Sequence, residues 1–343
     1  MPLPLILGIG AAIAGAAGVG TGIKGATKMK KANDTMESAK RKHERNTERF
    51  EKENKTTSTD MDKLGKIELE ILHSFSTFSD VFEQIKNRPI FENYSKNGIT
   101  LPKYDSEKLK NVSVGAGVLL GGLGGAGLGA AGGFAAAGAT TAAVMALGTA
   151  STGTAIASLS GAALTNATLA ALGGGAIAAG GGGIALGTTI LGATTLGVGL
   201  LVGGVIFNFT GVKLSDKADE AWKQMKKAEE QINTICEYLI NLRNTSNKYY
   251  ATLSSVNEVY QKHLNGLTSI VTMLGHKDWN TFTNEEKRVT ENTVLLVGLL
   301  YNMCKVELVL KAEKEGDMNT INNSEVEASI NNANTVIADK FYS

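Results

Sequence analysis

The stretch GVLLGGLGGAGLGAAGG, residues 117–133, carries glycine at Gly117, Gly121, Gly125, Gly129 and Gly133, every fourth position without exception. That spacing gathers the glycines on one helical face, where absent side chains let two backbones approach closely and gain dispersion energy. The stretch sits within 102 residues, 111–212, that contain no Asp, Glu, Lys, Arg or His, although the 343-residue chain carries 34 basic and 33 acidic residues elsewhere. Most of the 41 glycines lie in this window.

A flexible linker would want nothing buried, but half of residues 184–209, IALGTTILGATTLGVGLLVGGVIFNF, are Leu, Ile, Val or Phe. Each contributes roughly −0.3 to −0.6 kcal/mol near a bilayer centre, and a helix of this length spans ~39 Å against a ~30 Å hydrocarbon layer. The segment is expected to cross a membrane. A phosphate loop is excluded: GLGGAG at 122–127 fits G-x-G-x-x-G, yet that site needs an acidic residue about 20 positions on, and the next is Asp216.

Gly183 with Gly187, and Gly199 with Gly203, offer grooves that match the first glycine face, so the two segments are expected to zip together. Between them Ser151, Thr154, Ser158, Thr165 and Thr168 step by helical spacings, joined by Asn166. This stripe is read either as the lining of a pore or as a buried helix whose hydroxyls bond their own carbonyls. Lys108 and Lys110 precede the window and Lys213 and Lys217 follow it. Both ends are therefore expected on one side of the membrane, as in a hairpin.

The N-terminal segment repeats the theme with Gly10, Gly18 and Gly22 spaced in fours and eights, followed by Lys24, Lys28, Lys30 and Lys31. A secretory signal carries its charge before the apolar stretch rather than after it. The segment is expected to be retained, with the lysines meeting lipid headgroups.

The charged remainder is read as all-α. Residues 33–55 suit a solvated helix laced with ion pairs. From Leu64, the positions Ile67, Ile71, Phe75, Phe78, Phe82 and Ile85 draw an apolar stripe. Pro89, Gly98 and Pro102 then mark a connector. A heptad seam runs through Ile232, Ile235, Leu239, Leu242, Ser246, Tyr249, Leu253, Val256, Tyr260, His263, Leu267, Ile270 and Leu274, predicting one long coiled-coil helix over 214–274. Thr283 and Glu286 form a capping box before a further buried helix, and a weak amphipathic pattern covers 326–337. The expected organisation is an apolar N-terminal segment (1–31), a helical arm (32–110), the glycine-zipper region (111–212), a coiled-coil helix with a packing helix (213–315), and a polar tail (316–343).

Signs of catalysis are missing. His43, His73, His263 and His276 lack H-x-x-x-H or H-E-x-x-H spacing, and no nucleophile motif appears, so neither an enzyme nor a metal or other cofactor is expected. A net charge of +1 without basic–aromatic interleaving argues against nucleic acid. Cys236 and Cys304 fall in helical patterns and read as buried thiols, with a bridge between them the alternative.

Long helical arms around an uncharged apolar hairpin resemble the α-helical pore-forming toxins of the cytolysin A and haemolysin BL type. The resemblance implies a soluble form that hides the hairpin and exposes it on assembling at a membrane. Residues 152–197 look like the glycine-rich domain of the interferon-alpha-inducible membrane proteins, which implies membrane residence. The expectation is a membrane-inserting, pore-forming bacterial toxin or defence effector. Its partners are a lipid bilayer, further copies of itself and companion proteins, and it is soluble in the cytoplasm or after secretion before it inserts. The alternative is a constitutive membrane scaffold whose coiled-coil arms signal to partners. A secreted helical rod would leave the uncharged window without a purpose.

Overall fold

The computed structural model describes residues 24–91, 95–96, 99–100, 109–110, 112–113, 116–117, 214–306, 308–310 and 320–341. Helix α1 spans Lys24–Phe82, 59 residues and ~88 Å. No proline interrupts it, and pairs such as Arg41–Glu37 and Lys66–Glu70 support its exposed faces. The expected solvated helix and the apolar stripe are thus one continuous helix. It stops where Asn87 takes a left-handed φ of 54° before Pro89, and Arg88 Nη1 donates to the terminal carbonyls of Ile85 (2.8 Å) and Glu83 (3.3 Å).

After a two-residue hairpin, β1 (Ser95–Lys96) against β2 (Ile99–Thr100), the next long element is α2, Leu214–Thr268. The seam positions from Ile232 to Tyr260, and Leu267 and Ile270, are buried as the spacing predicts, but His263 is half-buried with Leu264 buried beside it, and Leu274 leaves the seam. A π turn over Ser269–Met273 inserts an extra residue, so Val271 is buried while Met273 and Leu274 swing into solvent. Gly275, at φ 71°, ends the element.

Helix α3, Asn284–Met303, begins at the expected capping box: Thr283 Oγ1 accepts from Glu286 N (3.2 Å), and Thr283 N donates to Glu286 Oε2 (2.8 Å). A second small hairpin, β3 (Val309–Leu310) with β4 (Thr320–Ile321), leads into α4, Asn323–Phe341. The weak tail pattern is a full helix because Val326, Ile330, Ala333 and Val336 bury themselves against the other elements. Both hairpins are local departures from an otherwise all-α fold.

Helices α3 and α4 pack beside the C-terminal halves of α1 and α2 and enclose the main core there, termed the head. Phe75 meets Tyr260 edge-on and Phe78 stacks on Phe82. Tyr249 donates from its hydroxyl to Met303 O at 2.7 Å, fixing the end of α3. The opposite end, the tail, has a small core of Phe50, Ile232, Ile235, Cys236 and Leu239. Among the described residues no helix is long and apolar enough to cross a membrane.

Candidate functional site: the tail, the seam and the docked start of the window

Helices α1 and α2 lie side by side and run in the same direction. Their hydrogen bonds keep a nearly constant sequence separation, 182 to 190: Thr57 Oγ1 donates to Leu239 O, Asn247 Nδ2 to Asp60 Oδ2, and Arg243 Nη1 to Glu53 Oε2. Lys42 pairs with Glu229 at 3.0 Å and Ser74 meets Tyr260. Two helices paired head-to-head in this way start at the same end. Lys24 and Leu214 are therefore both at the tail, so the N-terminal apolar segment and the end of the uncharged window join the rod together there.

The start of the window lies far from that point. Lys110 Nζ binds Glu83 Oε2 at 2.6 Å in the head. Ser113 Oγ then donates to His73 O and accepts from Ser76 N, and Gly117 lies against His73. Passing from Lys110 to Gly117 descends α1 from Glu83 to His73, so the chain here turns back toward the tail. The two ends of the window are separated by about 55 helical residues, ~80 Å. The hairpin expected of the window falls on residues outside the described ones.

Gly117 is the member of that glycine face that lies among the described residues. A Cβ there would stand 2.8 Å from His73 Nδ1 and 2.9 Å from Cε1, so the missing side chain lets the turn press on α1. We expect Gly117→Leu to displace the imidazole from Ser113 O, 3.3 Å away, and to cost about 1–2 kcal/mol in urea unfolding. An unchanged midpoint would mean that this turn is not docked on α1.

Of the other residues singled out by sequence, Lys30 and Lys31 are exposed at the tail, and Lys24 and Lys28 belong to the first turns of α1. Gly10, Gly18, Gly22, Gly121, Gly125, Gly129, Gly133, Gly183, Gly187, Gly199 and Gly203 lie outside the described residues, as do Ser151, Thr154, Ser158, Thr165, Asn166 and Thr168. Both cysteines are buried free thiols, Cys236 in the tail core and Cys304 in the head.

Two features are easily passed over in the sequence. The first is the tail seam of α1. Ala32, Ala39, His43, Asn46, Phe50, Asn54 and Thr57 step by helical spacings toward α2, so the surface that meets Met225, Ala228, Ile232 and Ile235 is small and polar. Asn46 Nδ2 and Asn54 Oδ1 are buried without a hydrogen-bond partner among the described residues. Burial also holds the His43 imidazole below its usual 6.5, opposed by Glu44. The seven-residue rhythm is present in the sequence, but charges on the outer faces mask it.

The second is Glu68, fully buried in the head with neither carboxylate oxygen hydrogen-bonded among the described residues. Burial pushes its carboxyl well above the usual 4.5. Cys304 Sγ donates to the backbone carbonyl of Glu68 at 3.9 Å, and burial, then the Glu68 carboxyl among others, raises the Tyr249 phenol well above its usual 10. Burial, and then Glu68, raise the Cys304 thiol well above its ordinary range. The spacing around Glu68 carries the signal, for it stands seven residues before Phe75 and fourteen before Phe82 on the buried stripe, whereas the exposed Glu70 lies off it.

Comparison with protein-family models, with curated proteins and with solved structures gives no match.

Proposed function

We propose that this chain is a membrane-inserting, pore-forming α-helical protein of the toxin or defence-effector kind. The observation that carries the reading is the parallel pairing of α1 and α2, which puts Lys24 and Leu214, the points where the apolar glycine-rich segments 1–23 and 184–212 join the helices, at one end of the pair. Lysines at 24, 28, 30, 31, 213 and 217 border them, each worth ~1 kcal/mol beside an anionic surface.

Docking of Gly117 on His73 supports a shielded state in which the glycine face is occupied by the protein's own helix. The weak tail seam supports the step that follows. Opening there costs little apolar burial, and it frees both segments together while the head core holds. Glycine faces that leave α1 then pair with one another in lipid, where close backbone approach takes the place of their packing on that helix. Further copies complete the assembly.

Dye release from liposomes tests the proposal. The parent chain is expected to release dye, and Gly121→Leu/Gly125→Leu/Gly129→Leu is expected to abolish release while leaving the head fold intact. Release equal to the parent would overturn the zipper. Permanent membrane residence without leakage would favour the scaffold reading instead.

A further inference from the structure

Two loops meet at the head tip. Residues 84–91 after α1 and 274–282 after the π turn are tied by four hydrogen bonds, one of them from Lys277 Nζ to Gln84 Oε1 (2.8 Å). Lys86 N donates to Lys277 O (2.7 Å), Trp279 N to Lys86 O (3.0 Å), and Asn87 Nδ2 to Asp278 Oδ1 (3.1 Å). Beneath them Phe82, Phe91, Trp279 and Phe282 pack ring to ring, with centroids 5.5 to 5.7 Å apart. This fixed scaffold nevertheless presents Ile90, Met273 and Leu274 to solvent at 84%, 80% and 62% exposure.

The π turn explains two of the three. Had α2 continued with helical spacing, Leu274 would follow Ile270 on the buried seam. The extra residue buries Val271 in its stead and turns Met273 and Leu274 outward. Within the two loops stand three cations, Lys86, Arg88 and Lys277, and one carboxylate, Asp278, which is engaged by Asn87 and by Asn280 N; from α3, Lys287 adds a cation over the Trp279 ring and Glu286 a carboxylate held by His276. Lys277 gives one bond to Gln84 Oε1, leaving two of its three donors for another acceptor.

We propose that this tip is a docking surface for an anionic lipid bilayer. Ile90, Met273 and Leu274 enter the boundary between headgroups and acyl chains, while Lys86, Arg88 and Lys277 meet lipid phosphates. Protruding apolar side chains ringed by cations match that interface, apolar within and negative at its surface. The contact is reversible surface binding, separate from insertion of the uncharged window and independent of whether that window forms a pore.

The chain's two tryptophans, Trp222 on α2 toward the tail and Trp279 at the tip, make the test direct. In a Trp222→Phe background, Trp279 emission is followed with brominated-acyl vesicles of phosphatidylcholine alone or mixed with phosphatidylglycerol. Quenching is expected with the mixed vesicles. Ile90→Ser/Met273→Ser/Leu274→Ser should weaken it about tenfold or more. Lys86→Gln/Lys277→Gln should weaken it about 25-fold, about fivefold for each cation, with thermal midpoints kept because every altered side chain is exposed. Quenching unaffected by these changes, equal on both vesicle types, or absent while the chain still co-sediments would each overturn the proposal. The glycine-to-leucine triple variant should keep quenching and lose dye release, so the two ideas fail separately.

Discussion

Glu68→Gln is expected to raise the stability of the head at neutral and alkaline pH and to leave it nearly unchanged at pH 4.5. Glu68 is fully buried without a hydrogen-bond partner among the described residues, and burial lifts its carboxyl well above the usual 4.5. The folded chain therefore keeps a proton that the unfolded chain releases. Stability from this group is complete below the unfolded value of 4.5 and declines as pH rises toward the folded value. Between those two values the loss accrues at about 1.4 kcal/mol per pH unit. Glutamine keeps the shape and cannot ionise. Urea unfolding of both proteins at intervals from pH 4.5 to 8 should give curves that diverge steadily, with the variant higher. Parallel curves would show that Glu68 is paired or hydrated in the folded chain. Asp60, Asp278 and Glu286, whose carboxyls are held low, act in the opposite sense and cancel in the comparison.

The second large effect belongs to the tail. Asn46→Leu together with Asn54→Leu is expected to stabilise the α1–α2 pair by about 3–5 kcal/mol, because each change removes a buried unsatisfied group and adds apolar packing on the seam. If the apolar segments are released by opening at this end, the same variant should leak liposomes at least several-fold more slowly than the parent. A more stable variant that leaks at the parental rate would remove tail opening from the mechanism. His43 on the same seam adds a pH sense. Burial holds its imidazole below 6.5, so the seam is at full strength above that value and weakens as pH falls through it. Acid thus loosens the tail while Glu68 keeps the head firm, and leakage from the parent should rise below pH 6.5.

Much of the fold is legible in spacing. The seam of α2 from Ile232 to Tyr260, the stripe from Leu64 to Ile85, and the capping box at Thr283 and Glu286 stand where the pattern puts them, since periodic burial and end-capping are local properties. Residues 33–55 are harder to read. Their outer faces are so charged that the few seam positions, Ala39, Asn46, Phe50 and Asn54, do not stand out as buried. Leu274 leaves the seam although its spacing continues it, because a π turn makes no mark on apolar spacing until the register has already slipped. The pole of the molecule at which each apolar segment joins is not legible either, because flanking lysines carry no information about helix direction.

By itself the sequence determined that a hundred uncharged, glycine-spaced residues are set between long amphipathic helices, because charge and periodicity are written one residue at a time. Tertiary structure alone decided that those helices run parallel, that Gly117 rests on His73, and that the Glu68 carboxylate oxygens, Asn46 Nδ2 and Asn54 Oδ1 are buried without partners among the described residues. The helix pairing depends on faces that meet across 190 residues of chain and the docking beside His73 on faces that meet across 40, and side chains that distant contribute nothing to each other's local pattern.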